Sequence, residues 1–138
     1  MILLDTTPLV ALCDPRDSLN RISRKHLKAL ARSEFALCEP VLTETCFHLP
    51  ALSQRKRLQE LLKALPVVPI SLEGHDSWSE VFDRLSTYAD HDPDWTDGYL
   101  AVLCSREAKL QLWTYDAEFR TTWRKPDGAA IPLAIARK

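Results

Sequence analysis

MILLDTTPLVAL, residues 1–12, decides how the chain is read. Ile2, Leu3 and Leu4 form a short apolar run that stops at an acid, Asp5. Such a run, bounded by turn residues, reads as a buried strand. Thr6 or Thr7 ahead of Pro8 reads as the cap and first turn of a helix, continued by the apolar run Leu9 to Leu12. Asp5 therefore ends a first strand, where open α/β sheets place their ligands. A plain capping or turn aspartate has the same signature, so this stretch alone leaves both readings open.

Working outward, Asp14 to Asp17 is a turn, and Asp17 or Ser18 can cap a helix running to about Arg32. Leu19, Ile22, Leu27 and Leu30 make its apolar face; Arg21, Arg24, Lys25, Lys28 and Arg32 crowd the other, as a solvated surface or a phosphate-contacting patch. Phe35 to Cys38 is a short strand. Pro40 opens a helix in which Glu44 lies among Val41, Leu42, Thr45 and Leu49. A helix over about 53–65 carries a second basic cluster, Arg55 to Arg57. Residues 67–70 form a strand whose flanking prolines, Pro66 and Pro69, place it near an edge. A helix over about 75–89 follows. Asp94 or Thr96 then caps a helix whose Tyr99 to Cys104 segment is apolar nearly all round, hence central and buried. Leu110 to Thr114 is the next strand, with Asp116 just beyond it. A short helix or turn over 116–123 and a last strand over 131–136 complete the chain. Strands alternating with helices predict an α/β protein: one three-layer α/β/α domain over residues 1–138, with a mainly parallel sheet of about five strands.

Composition bounds the function. The chain is 46% hydrophobic and 27% charged, as in ordinary globular proteins, and its net charge of −1 gives no global basic field. Three glycines leave no glycine-rich phosphate loop. The four cysteines, Cys13, Cys38, Cys46 and Cys104, form no CxxC pair and read as core thiols in a reducing cytoplasm. The start lacks a basic leader segment, and no run approaches the ~18 apolar residues of a membrane span. The four histidines form no HxxxH or HExxH pair and read as surface or structural.

The acids carry the chemistry. Asp5 and Asp116 follow strands, Asp97 opens the buried helix, and Glu44 lies on an early one. Two carboxylates ~4 Å apart repel by about 4 kcal/mol at an effective dielectric near 20. Four converging carboxylates therefore require protonation or bound cations. An all-oxygen site without paired Cys or His suits Mg²⁺ or Mn²⁺ rather than Zn²⁺. Such an ion can activate water for phosphodiester displacement.

Over essentially its whole length the chain resembles PIN-domain ribonucleases, and more narrowly VapC-type toxins of bacterial toxin–antitoxin pairs. The carrying segments are LLDTTPLVAL at 3–12, VLTETCFHL at 41–49, DWTDGYLAVL at 94–103 and LWTYDAEF at 112–119. The resemblance implies that Asp5, Glu44, Asp97 and Asp116 line a metal pocket. Asp5 and Asp97 would be the main ligands, with Glu44 and Asp116 holding waters or a second ion. Asp94 would join the site or cap the helix, and Thr6 and Thr114 would orient the acids. Gly98 stands where many members carry alanine, which loosens the helix start by up to about 1 kcal/mol.

The resulting expectation is a cytoplasmic, metal-dependent endoribonuclease that leaves 5′-phosphate and 3′-hydroxyl ends. Arg24, Lys28, Arg55 and Arg57 would guide the RNA backbone. The resemblance further implies a small antitoxin partner and a homodimer. One rival is a catalytically silent PIN-like module that acts through protein docking. Another is a phosphohydrolase of a different α/β fold, for which the usual DxD pair is missing at Asp5-Thr6-Thr7.

Overall fold

The computed structural model describes residues 1–136. Its sheet comprises β1 (Ile2–Leu4), β2 (Phe35–Leu37), β3 (Val68–Pro69) and β4 (Gln111–Trp113). The helices are α1 (Thr6–Cys13), α2 (Asn20–Leu30), α3 (Glu39–His48), α4 (Leu52–Ala64), α5 (Ser77–Thr87), α6 (Trp95–Arg106) and α7 (Glu118–Thr121). A 3₁₀ turn at Ala89–His91 precedes α6.

The strands run in the order β3-β2-β1-β4, all parallel, with Leu3 opposite both Ala36 and Leu112. Strands buried on both faces need apolar residues throughout, and every residue of β1 and β2 is apolar and buried. β3 is exposed and only two residues long, and Pro69 supplies it no N–H; these traits confine it to an edge, as its prolines predict.

From β1 the chain steps through β2 to β3, then returns to the far side of β1 as β4. Right-handed crossovers therefore put α1 to α4 on one face of the sheet and α5 and α6 on the other. The packing agrees, since α1 meets α2, α3 and α4 while α5 meets α6; α3 also touches α6 from the other face. The order reverses between β1 and β4, and sheets of this kind place their sites at the C-terminal ends of the strands at such a point.

The fifth strand expected over 131–136 is reduced to one parallel bridge, Leu112 to Leu133. Leu112 N–H donates to the Pro132 carbonyl and Ala134 N–H to the Leu112 carbonyl, both at 2.8 Å. Pro132 has no N–H to extend the ladder.

Trp113, Trp123, Phe35 and Phe119 are the largest fully buried side chains. All four cysteines are free, and burial pushes the thiols of Cys13 and Cys38 up to about 11 and that of Cys104 to about 12. Gly98 has a packing reason to be glycine. A Cβ there would stand 2.8 Å from Leu85 Cδ2 and 3.1 Å from Val81 Cγ1, so α6 approaches α5 closely at this turn. Among the described residues, no helix is long and apolar enough to cross a membrane.

Candidate functional site

Asp5 follows β1 directly and caps α1. Its Oδ1 accepts the Thr6 N–H at 2.7 Å, and its Oδ2 accepts the Thr114 hydroxyl at 2.6 Å. The side chain is buried, and both oxygens are aimed by the ends of adjacent strands. Thr114 Oγ1 in turn accepts the Asp116 N–H at 3.0 Å, so one hydroxyl sets two acids. Asp116 Oδ1 accepts the Glu118 N–H at 2.9 Å and opens the turn into α7.

Asp94 caps α6, its Oδ1 accepting the Asp97 N–H at 2.9 Å. This cap holds Asp97 in the first helical turn. Glu44 lies half-buried in the middle of α3, where Val41 and Thr45 turn into the core.

The acids share one electrostatic field. Burial is the main force pushing Asp5 up to about 6, against the bonds from Thr114 and Thr6, and the charges of Glu44 and Asp116 push it further. Asp97 rises to about 8, first through burial, then through the charges of Asp94, Asp5 and Asp116. Asp97, Asp5 and Asp116 thus lie within electrostatic reach of one another, Glu44 within reach of Asp5, and Asp94 within reach of Asp97; among the described residues, no three acids, His or Cys close on one point.

Thr6 acts on Asp5 through its backbone N–H, while its buried hydroxyl has no hydrogen-bond partner. The neighbouring Thr7, which sequence reasoning passed over, accepts the Tyr115 N–H through its Oγ1 at 2.9 Å and ties α1 to the end of β4. The doubled threonine after Asp5 was the available signal. Tyr115 also shares a 2.7 Å hydrogen bond with His26 Nδ1, which anchors the basic helix α2 beside the site.

The basic residues lie apart from the acids. Arg24 and Arg57 line a cleft with Cys13, at the far end of α1 from Asp5, about 12 Å along the helix. Lys28 is exposed in the last turn of α2. Arg55 is engaged at the end of α3, donating Nε to the Leu49 carbonyl at 2.8 Å and Nη2 to the Cys46 carbonyl at 2.9 Å.

Thr114→Val is expected to cost about 1–3 kcal/mol, because it strips a buried carboxylate oxygen and a backbone N–H of their partner. Urea titration against wild type measures that cost. A loss under 0.5 kcal/mol, on the order of the ordinary scatter for surface substitutions, would mean that water replaces the hydroxyl.

A family model described as PIN domain matches residues 2–124. The crystal structure of VapC20 from Mycobacterium tuberculosis, a sarcin–ricin loop cleaving toxin, aligns at 17% identity with a TM-score of 0.70. The alignment covers 87% of this chain and 93% of that one. At that identity the likeness is one of fold. No curated protein matches the chain.

Proposed function

The chain belongs to the PIN-domain family, and on that premise we propose that it is a metal-dependent endoribonuclease acting as the toxin of a toxin–antitoxin pair. The observation that carries the reading is the gathering of acids about Asp5: burial and the charges of Glu44 and Asp116 push its carboxyl up to about 6, and burial and the charges of Asp94, Asp5 and Asp116 push Asp97 up to about 8. A bound cation would offset both the burial and the repulsion.

The donor set fits Mg²⁺ or Mn²⁺: it is all oxygen and lies beside an unpartnered hydroxyl, that of Thr6. Among the described residues, no three His, Cys, Asp or Glu side chains close into a cage around one point. An ion bound there would keep several of its waters, as Mg²⁺ does. Asp5 and Asp97 would hold the ion, with Glu44 and Asp116 taking its waters or a second ion. Asp94 serves in this reading as the cap. When bound, a divalent cation offsets the repulsion among the acids, activates water and stabilises charge on the phosphoryl oxygens. Thr114 and the Thr6 N–H hold both oxygens of Asp5 at fixed angles, and Tyr115, braced by Thr7, holds the strand end that carries Asp116. Arg24, Lys28 and Arg57 would meet RNA phosphates beyond the cut.

One observation supports a docking role alongside catalysis or in place of it. Phe47, Trp78 and Phe82 are 78%, 72% and 59% exposed. Phe82 packs edge-on against Trp95 at 4.9 Å, and Trp95 and Phe47 line a cleft with Glu44. Exposed apolar surface of this kind marks a partner interface, which an antitoxin or a second copy of the chain would cover. The free thiols suit a cytoplasmic setting.

The test is cleavage of a panel of RNA oligonucleotides, a sarcin–ricin loop among them, by protein supplied with Mn²⁺ or Mg²⁺. Cleavage leaving 5′-phosphate ends and lost in excess EDTA is expected. Cleavage that continues unchanged in EDTA would refute metal dependence. Intact RNA throughout, alongside tight binding of an antitoxin-like protein, would favour the silent docking module.

A further inference from the structure

A cleft of about 560 Å³ opens between α3 and the start of α6. Pro40, Thr43, Glu44 and Phe47 form one wall; they recur at intervals of three and four and so share one face of α3. Trp95 and Thr96 form the other, in the first turn of α6, which also carries Asp97. The cleft therefore contains one of the gathered acids, Glu44, and its far wall lies on the same helical turn as another.

Size, shape and charge limit what can occupy it. Its volume falls within the ~300–1,000 Å³ of small-ligand sites. Both walls are aromatic. Phe47 is 78% exposed, and Trp95 is half-buried, braced by the Phe82 ring that meets it edge-on at 4.9 Å. Among the described residues, none that lines the cleft can carry a positive charge, and its two charged groups are Glu39 and Glu44. Phosphate finds no partner there. A planar, uncharged ring does: it stacks on the indole and turns its N–H edge to a carboxylate.

Within an RNA strand, that description fits the nucleobase. We propose that this cleft takes an unpaired base of the substrate, stacked on Trp95 with Phe47 beside it, next to the phosphate that meets the acids. RNA held at Asp97 and Glu44 has to lay a base within about one nucleotide of them, and the aromatic walls stand at that place. Proteins hold single strands by stacking bases on aromatic rings, and a base inside a duplex has no free face to offer. The substrate class is thus single-stranded or looped RNA. This proposal rests on the ribonuclease reading and adds to it the form of the strand. A protein partner seated on the same aromatic residues is the rival occupant.

The experiment needs neither metal nor turnover. Protein in EDTA is titrated with a labelled RNA hairpin that has an unpaired loop, and with a blunt duplex. Trp95→Ala is expected to weaken loop binding roughly 5–150-fold, the worth of one stacked base, and to change duplex binding less than about twofold. Trp95→Phe, which keeps an aromatic face, is expected to retain most of the affinity. Phe47→Ala removes an exposed side chain without disturbing the core, and is expected to weaken loop binding roughly fivefold. The Trp95 indole N–H resonance, identified by its absence from Trp95→Phe, is expected to shift with the hairpin and stay in place with the duplex. Loop binding unchanged in both alanine variants, or a Trp95 resonance indifferent to saturating hairpin while wild type cleaves RNA in Mn²⁺, would overturn the base site alone. A Trp95 resonance that instead follows protein concentration, together with a dimer in sedimentation, would give the cleft to a second copy of the chain. Wild-type protein that neither binds nor cleaves RNA would overturn the ribonuclease reading itself.

Discussion

Asp5→Asn is expected to lower RNA cleavage by roughly three orders of magnitude or more while the fold survives. Asparagine is nearly isosteric with aspartate, so the replacement tests charge rather than shape. Its carbonyl can still accept the Thr6 N–H, as Oδ1 does at 2.7 Å. Its amide can donate to Thr114 Oγ1, which reverses the present bond at 2.6 Å. Thr114 Oγ1 has two lone pairs and now spends one on the Asp116 N–H, so a second donor finds a place. What disappears is the negative charge between the ends of β1 and β4. The check is kcat on RNA beside a thermal melt of each protein. Wild-type cleavage by the folded variant would mean that Asp5 is merely the cap of α1.

Asp97→Asn is expected to stabilise the metal-free protein at pH 8 and to erase its response to Mn²⁺. The folded state holds the Asp97 proton up to about pH 8, whereas the unfolded chain releases it near the ordinary 3.8. Between those values the folded state binds more protons, so stability falls as pH rises through the window. Asp5 adds a fall of the same sign between about 3.8 and 6. A shift is worth about 1.4 kcal/mol per pH unit, but Asp97 is half-buried and water screens its charge. We therefore expect a gain of about 1–3 kcal/mol at pH 8, and a flatter stability–pH curve for the variant. Mn²⁺ at a hundredfold over its Kd is expected to add about 2.7 kcal/mol to wild type at that pH and little to Asp97→Asn. Melts in EDTA and in Mn²⁺ at pH 5 and pH 8, with titration calorimetry, measure every term. Metal-free melts that do not change with pH, together with equal Mn²⁺ binding by both proteins, would remove Asp97 from the site.

The placing of three acids was legible because local sequence records apolar runs: Asp5 and Asp116 follow strands and Asp97 opens a helix, whereas Glu44 sits mid-helix and stood out only by its apolar neighbours. The edge position of β3 was legible for the same reason, since proline excludes a ladder bond wherever it occurs. Residues 131–136 read as a strand by composition, yet a strand needs a partner ladder, and Pro132 limits it to one bridge. The role of Thr7 depends on Tyr115, 108 residues away, a distance that no window of local sequence spans. Arg55 read as one of three basic residues in a row, and only the folded chain brings it to the carbonyls that end α3.

The bond between Asp5 and Thr114 joins residues 109 apart in a chain of 138. During synthesis, β1 emerges first and waits in a sheet that lacks β4. A nascent chain that ends before residue 110 already carries Asp5, Glu44 and Asp97, but nothing holds Asp5 from the second side and Asp116 is missing. At about 5–20 residues per second, that interval lasts several seconds. The arrangement of acids around Asp5 therefore forms only once the chain has been made through Asp116, whatever has folded before it.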